Sequence, residues 1–448
     1  MAVSALALAG ALALAPMAPE DTADAPWQVL EVGGLLTHAD RAAQGPSTVV
    51  IAAGRILAIH DGHPDRIAGQ PAGSQRVDLR GLFLLPGLID AHVHLDSDVA
   101  GVAGQLEGVS RSTAAAAYDA AVNARRTLAA GFTTVRNLGD GDGVTLALRD
   151  AIAAGKTRGP RILDAGRSIS TTSGHMDARL GFRDDLHAAI GDGNLCDGVE
   201  SCRRAVRAQI GRGVDWIKIA TTGGVNSRIG AGLGQQMFAD EAKAIVDTAH
   251  LYQRKVAVHA HGADGIQVAL AAGADSIEHG TLLDDANFAA LKASGAFVVP
   301  TLSTVNGYIE RLKNNPDAYA PAVRAKIEWR IEVTGKAFRR AVAQQVRIAF
   351  GTDAGVSLHG CNADEFALMV KHGMTPAQAL TAATREAADL LDLDAEIGTI
   401  EAGKRADLIA VRGNPLADLA TLKDVRWVMT AGEVFDPAPD RRRAGCAP

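Results

Sequence analysis

An α/β fold, a (β/α)8 TIM barrel with a small β-sandwich domain built from both chain ends, is predicted by three observations. Apolar, β-branched runs recur at residues 85–94, 216–219, 256–261, 276–280 and 348–353, and each carries His, Lys or Asp at or near its end. Stretches with helical spacing lie between the runs, the alternation that parallel strands with crossover helices require. Short alternating runs broken by Gly and Pro occupy the two ends of the chain. Chemistry in such a barrel gathers at the C-terminal ends of its strands, so side chains scattered in sequence converge in space.

The bulk properties agree. A chain of 448 residues accommodates a barrel of about 250 residues and an added domain. With 47% hydrophobic residues and a net charge of -6, nothing points to a nucleic-acid surface or a disordered acidic tail.

In chain order, residues 1–25 open with an Ala/Leu run at 5–15, followed by small residues and Glu20-Asp21. The run is too short to span a bilayer and resembles the h-region of a secretory signal peptide, cleaved after Ala18 or Ala25. No Lys or Arg precedes it, so either the true start lies upstream or the segment is a flexible Ala-rich leader. The first implies a periplasmic or secreted protein, the second a cytoplasmic one.

Short strands follow within 26–86, for example at 49–51 and 55–59, and return at 406–411 and 425–429 after a turn-rich stretch. Residues 26–86 with 396–448 are therefore expected to form the sandwich, and 87–395 the barrel. Barrel strands are expected near 88–94, 132–138, 160–166, 215–221, 256–261, 276–280, 297–302 and 347–353. Helices are expected over 118–130, 199–211, 240–252, 265–272, 284–293, 322–345 and 375–391. The stretch from Leu302 to Gln345, with Tyr308, Tyr319 and Trp329, exceeds a normal connection and is expected to cover the site or to form a subunit contact. Cys196 and Cys202 lie close enough to close a small disulfide, or stand as two free thiols; Cys361 and Cys446 have no clear partner.

The richest segment is Leu85-Pro86-Gly87-Leu88-Ile89-Asp90-Ala91-His92-Val93-His94. Strand residues two apart point the same way, so His92 and His94 can present two imidazoles to one ion. Alone, His-x-His is a weak signal. The later strand ends add Lys218, His259 with His261, His279, and Asp353 in Gly351-Thr352-Asp353-Ala354-Gly355.

Taken together, His92, His94, Lys218, His259, His279 and Asp353 resemble the binuclear metal site of the amidohydrolase superfamily. The likeness is to the branch of prolidases and Xaa-Arg/Lys dipeptidases that also contains ochratoxin-hydrolysing amidohydrolases, and it covers nearly the whole chain after residue 26. It implies that His92, His94 and Asp353 hold the more buried ion and that His259 and His279 hold the second. Lys218 would be carboxylated by CO2, because an ammonium has no lone pair, and its carbamate would bridge both ions. The other reading of Lys218 is an inward lysine paired with a carboxylate or an outward, solvated one. Two divalent ions, Zn2+ by the preference of imidazole and carboxylate donors, would be the cofactors. His261 would be a substrate contact or a support to the ligands.

Such ions lower the pKa of a shared water and polarise a carbonyl, and Asp353 would relay the proton to the leaving nitrogen. His175, in Thr171-Thr172-Ser173-Gly174-His175, is a candidate donor to the oxyanion, or a loop histidine exposed to water. Arg228, after Gly223-Gly224-Val225-Asn226-Ser227, and Arg136 compete as receptors for a substrate carboxylate. His187, His250, His359 and His372 read as ordinary surface or helix histidines.

The expected activity is hydrolysis of the amide bond of a dipeptide or N-acyl amino acid with a free carboxylate, with ochratoxin A in that class. Imidazolonepropionase-like opening of a cyclic amide is the alternative, though Lys218 completes a binuclear rather than a mononuclear set. A binding protein that kept the fold without catalysis would have lost a ligand, and all six are present. The partner is then a small amide or peptide, with no nucleic acid, no membrane span and a homo-oligomeric state.

Overall fold

A computed structural model of the protein describes residues 26–228, 232–440 and 446, so the expected leader over 1–25 lies outside the described residues. The chain begins with β1 (Gln28–Leu35), β2 (Ser47–Ala52), β3 (Arg55–Asp61) and β4 (Gln75–Pro86). It continues through β5 (Leu88–Val93), β6 (Phe132–Asn137), β7 (Arg161–Asp164), β8 (Trp216–Ala220), β9 (Lys255–Ala260), β10 (Ser276–His279) and β11 (Phe297–Val299). It closes with β12 (Leu408–Val411), β13 (Trp427–Thr430) and β14 (Glu433–Phe435).

The helices are α1 (Gly101–Ser110), α2 (Thr113–Ala129), α3 (Val144–Ala153), α4 (Asp184–Ile190), α5 (Val199–Gly211), α6 (Ala239–Leu251) and α7 (Ala263–Ala272). After them come α8 (Asp285–Ser294), α9 (Thr304–Asn314), α10 (Pro321–Val333), α11 (Lys336–Ala343), α12 (Asp364–Lys371), α13 (Pro376–Ala382) and α14 (Arg385–Leu390).

The two chain ends meet in one seven-stranded sheet of order β14-β13-β12-β4-β1-β2-β3, a continuous sheet where a two-layered sandwich was expected. The reason is the length of β4: it pairs parallel with β1 over most of its course, and its last residues also pair antiparallel with β12. Alternate residues of these strands divide between two cores. Leu84, Leu408 and Met429 join a cluster with Leu30 and Val49, whereas Phe83, Leu85, Ile409 and Val428 pack on the main core below the parallel strands. β4 then passes into β5 across Gly87 alone. A Cβ there would lie 2.1 Å from Thr133 Oγ1, so this close approach admits only glycine.

The parallel strands form two sheets, β5-β6-β7 and β8-β9-β10-β11. Isolated parallel bridges link Ile169 to Ile219 of β8, Ile348 to Val298 of β11 and Ala354 to Val93 of β5. Residues 347–353 were expected as a regular strand; they make these bridges and scattered backbone bonds, among them the Ala91 N–H to the Phe350 carbonyl at 2.9 Å and the Asp353 N–H to the His92 carbonyl at 2.8 Å, without a continuous ladder. At Thr352 the ladder is interrupted by Asp90, whose carboxylate accepts the Thr352 N–H at 3.1 Å and the Thr352 hydroxyl at 2.6 Å. Burial pushes that carboxyl up to about 6 against these hydrogen bonds.

Helix boundaries follow local signals. Asp284 and Thr375 cap α8 and α13 through reciprocal boxes with Asn287 and Gln378. The single helix expected over 322–345 is two, because Gly335 has φ +78° and a Cβ on it would meet the His372 ring at 2.2 Å. In the same stretch, which was expected to cover the site or to form a subunit contact, Tyr308 and Tyr319 are buried with Val225, Val323 and Ile327, and Trp329 is half-buried.

Cys196 and Cys202 form a disulfide, and so do Cys361 and Cys446, which had no clear partner in the sequence because 85 residues separate them. Among the described residues no helix is long and apolar enough to cross a membrane.

Candidate metal centre

Lys218 and His259 project from β8 and β9, His92 and His94 come from the end of β5, His279 ends β10, and Asp353 follows the bridge residues. All six line one cavity of about 190 Å³, together with His175 and His261. Asp353 Oδ1 lies 3.4 Å from His92 Nε2 and 3.4 Å from His94 Nε2. Two sets of three donors have atoms within 4.8 Å of one another, His92 with His279 and Asp353, and His259 with His261 and His279. The second set includes His261, which had been expected behind the ligands or at the substrate. His279 and Asp353 have left-handed φ values of 72° and 58°, strain of the kind held at sites that aim side chains.

Outer partners fix the rings. His92 Nδ1 donates to Glu278 at 2.8 Å and His94 Nδ1 donates to the Gly139 carbonyl at 3.1 Å. His261 Nδ1 lies 2.8 Å from the Thr281 hydroxyl, and His279 Nδ1 lies 2.7 Å from that of Thr301. Each of these four rings thereby leaves Nε2 as the donor for an ion, the arrangement that raises ligand basicity. His359, expected to be an ordinary surface or helix residue, is fully buried, and its Nε2 donates to the His94 carbonyl at 2.9 Å.

Glu278 is a residue that the sequence reading passed over. Burial would raise its carboxyl, but Arg136, His92 and Lys218 outweigh that and hold it at about 2. Arg136, one of the two candidates for the substrate carboxylate, is its structural partner instead. Its guanidinium reaches Glu278 at 2.8 Å, Ser276 at 3.0 Å and the Ala91 carbonyl at 2.6 Å, and it stacks 4.4 Å from the Trp216 ring centre. The reason is position: Arg136 lies within β6, not beyond it, and is wholly enclosed.

The other candidate, Arg228, is exposed and bonds Gly181 and Gln105 on the wall of a separate cavity beneath α1. It does not line the cavity of the clustered histidines. Besides Lys218, the cation among the described residues that lines it is Arg330 of α10, with Tyr308 and Asn226. Its signal in the sequence is slight: it falls on the buried stripe Val323, Ile327, Arg330, a charge where helical spacing calls for an apolar residue.

Electrostatics separate the roles. Burial pushes the Lys218 amine down to about 8, although Glu278 and Asp353 pull the other way, and its Nζ has no hydrogen-bond partner among the described residues. Asp353 is held below the usual carboxylate range: burial opposes this, but His92, His94 and Lys218 prevail. His175 is pushed down to about 3 by burial and then by Lys218 and Lys326, so it stays neutral. Its ring lies 4.2 Å from that of His259, and a Cβ on Gly224 would come within 2.0 Å of it. Gly224 is thus space for this ring and not only a turn residue.

A buried cluster of imidazoles with one carboxylate is a donor set able to hold metal ions. Residues 83–435 match the Amidohydrolase family. Ochratoxinase of Aspergillus niger is 33% identical over 370 residues, 79% of this chain and 75% of that protein. A solved Xaa-Pro dipeptidase with methionine in its active site is 37% identical with a TM-score of 0.86, over 92% of this chain and 100% of that one. A prolidase complexed with N-methylphosphonate-L-proline is 30% identical with a TM-score of 0.82, over 92% and 99%. The chain belongs to the amidohydrolase family and is a hydrolase of amide bonds. Within that family it falls in the branch of the prolidases and ochratoxinase.

Proposed function

We propose that this chain is a binuclear metal-dependent amidohydrolase that cleaves the amide bond of a dipeptide or N-acyl amino acid with a free carboxylate, ochratoxin A included. The observation that carries the reading is the Lys218 amine, buried among the histidines with no partner for its Nζ among the described residues. An unpaired buried amine is costly unless it is modified or bound. CO2 adding to that nitrogen, with loss of one proton, makes an anionic carbamate in its place.

His92, His94 and Asp353 would then hold one ion, His259 and His279 the other, with the carbamate of Lys218 between them; Zn2+ suits these donors. The bound ions supply Lewis acidity toward a water and the substrate carbonyl. Asp353, ionised before reaction, accepts the proton of the attacking water and returns it to the leaving nitrogen. Neutral His175 donates toward the carbonyl oxygen as charge develops there, and His261 supports the second group of donors or the substrate. Methionine and the L-proline derivative in the similar enzymes each carry an α-carboxylate, which favours the same feature here.

The same reading takes 87–395 as a closed eight-stranded barrel, with the isolated bridges as its seams, and 26–86 with 396–448 as the flanking domain. Two disulfides favour export to the periplasm or beyond. Self-association into a homo-oligomer is assigned to the exposed apolar row Val102, Leu106 and Val109 of α1, with Tyr118 and Val122 of α2, rather than to the buried tyrosines.

Metal analysis beside a panel of substrates tests the function. Two divalent ions per chain are expected, with turnover of Xaa-Pro, Xaa-Lys and N-acyl amino acids that a chelator abolishes. One ion per chain with turnover of a cyclic imidazolone alone would assign the ring-opening reaction instead. Tight binding of amides without turnover of any, in the metal-loaded protein, would make it a binding protein.

A further inference from the structure

Arg330 is 3% exposed, yet it lines the cavity that holds the histidines. A guanidinium has five N–H donors and stays charged in a protein. Among the described residues, its side chain has one hydrogen-bond partner, the Thr334 hydroxyl at 2.7 Å, and no carboxylate within 4.0 Å. Arg136, the comparably buried arginine, is fully engaged by Glu278, Ser276 and a carbonyl. A buried arginine without an anion is expensive to fold around, and such a charge is kept where an anion arrives.

The acids near it are already occupied. Glu365 accepts the Leu302 and Ser303 N–H groups at 2.9 and 2.6 Å, and Asp353 faces His92 and His94. One turn earlier on α10, Lys326 donates to the Gly224 carbonyl at 2.9 Å and also to that of Ser227. Those bonds pin α10 to the loop that follows β8, so Arg330 is presented to the cavity from a fixed helix, while the Lys326 ammonium is spent on carbonyls. The planar fork of a guanidinium matches a carboxylate with two parallel hydrogen bonds.

We propose that Arg330, not Arg136 or Arg228, receives the free carboxylate of the substrate's amino-acid half and so sets which end of the amide lies over the metal ligands. This rests on the amide-with-carboxylate reading above. It makes Arg330 a specificity residue whose loss is felt only by substrates that bring the anion.

The test uses a matched pair, one N-acyl amino acid with its carboxylate free and the same compound amidated. Wild type, Arg330→Met, Arg330→Lys and Arg228→Ala are compared as metal-loaded full chains, with metal content measured for each. Wild type is expected to prefer the free acid. Arg330→Met should lose roughly 30- to 1,000-fold in kcat/KM on the free acid, chiefly through KM, in the range for removing one partner of a buried ion pair. On the amidated compound it should stay within about threefold of wild type, and Arg228→Ala should follow wild type on both.

Equal losses on both compounds, or a preference kept in Arg330→Met, would overturn the assignment while leaving the substrate class intact. No preference in wild type would instead overturn the carboxylate reading itself, and this proposal with it. Should Arg330→Met fail to fold, Arg330→Lys decides: it keeps the charge but loses the fork, so a rise in KM of about tenfold on the free acid alone supports the proposal. A uniform change, or none, refutes it.

Discussion

At the scale of single residues, the centre combines imidazole and carboxylate donors with a buried lysine nitrogen that has no hydrogen-bond partner among the described residues. Lys218→Ala should abolish most turnover and lower metal content, and a short-chain carboxylic acid that fills the gap should restore part of both. A wild-type rate in the variant would refute the bridging role. Asp353→Asn keeps an oxygen donor but cannot take the proton, so a loss of roughly two to four powers of ten in kcat is expected, the span of general acid–base catalysis. Assay at a fixed metal load separates that loss from weakened binding. The histidines were legible in the sequence because strand periodicity places His92 and His94, or His259 and His261, on one side. Arg330 was not, because it comes from a helix far along the chain and no local spacing ties it to the histidines. Glu278 stood beside His279 in the same run, but only the folded chain reveals that its carboxylate meets His92 and Arg136.

At the scale of elements, strands read more easily than breaks. β5, β6, β8, β9 and β10 fall within a residue or two of expectation, since each is an enclosed apolar run with one direction to grow. The eighth run is not a regular strand: it bonds the β5 backbone through Phe350 and Asp353, but at Thr352 a side chain, Asp90, takes the place of a neighbouring backbone. The pause between α10 and α11 depends on Gly335, whose left-handed φ is visible in sequence only as one glycine in a long helical pattern. Gly335→Ala should destabilise the protein by about 1–3 kcal/mol, the usual cost of a strained backbone residue. Denaturant melts check it. Adding His372→Ala should recover part of the loss, because the new methyl would strike that ring; no recovery would mean that the backbone angle alone sets the cost.

At the scale of the whole molecule, the two ends of the chain share one sheet, and Cys361–Cys446 ties the C-terminal segment to the residues that follow Asp353. Cysteine counts gave no hint of this pair, since spacing alone does not fix connectivity. Cys446→Ser should cost roughly 2–4 kcal/mol, as removal of a native cross-link commonly does, read as a lower Tm. An unchanged Tm would mean that the tail contributes nothing to the folded state. Light scattering addresses the quaternary structure: a mass above that of one chain is expected at micromolar concentration, and Leu106→Glu should lower it. A monomer at every concentration would remove self-association from the account.

The long cross-link has a practical consequence for handling the enzyme. The covalent ring runs from residue 361 to residue 446 and encloses α12, α13, α14 and the strands β12 to β14. A protease that nicks one exposed loop inside this ring leaves two fragments still joined through sulfur. Such a preparation migrates as a single intact band until reductant is added, and only then separates. Purity judged on an unreduced gel would therefore pass a clipped enzyme as whole, and production in a reducing compartment would release the same fragments at the first cut.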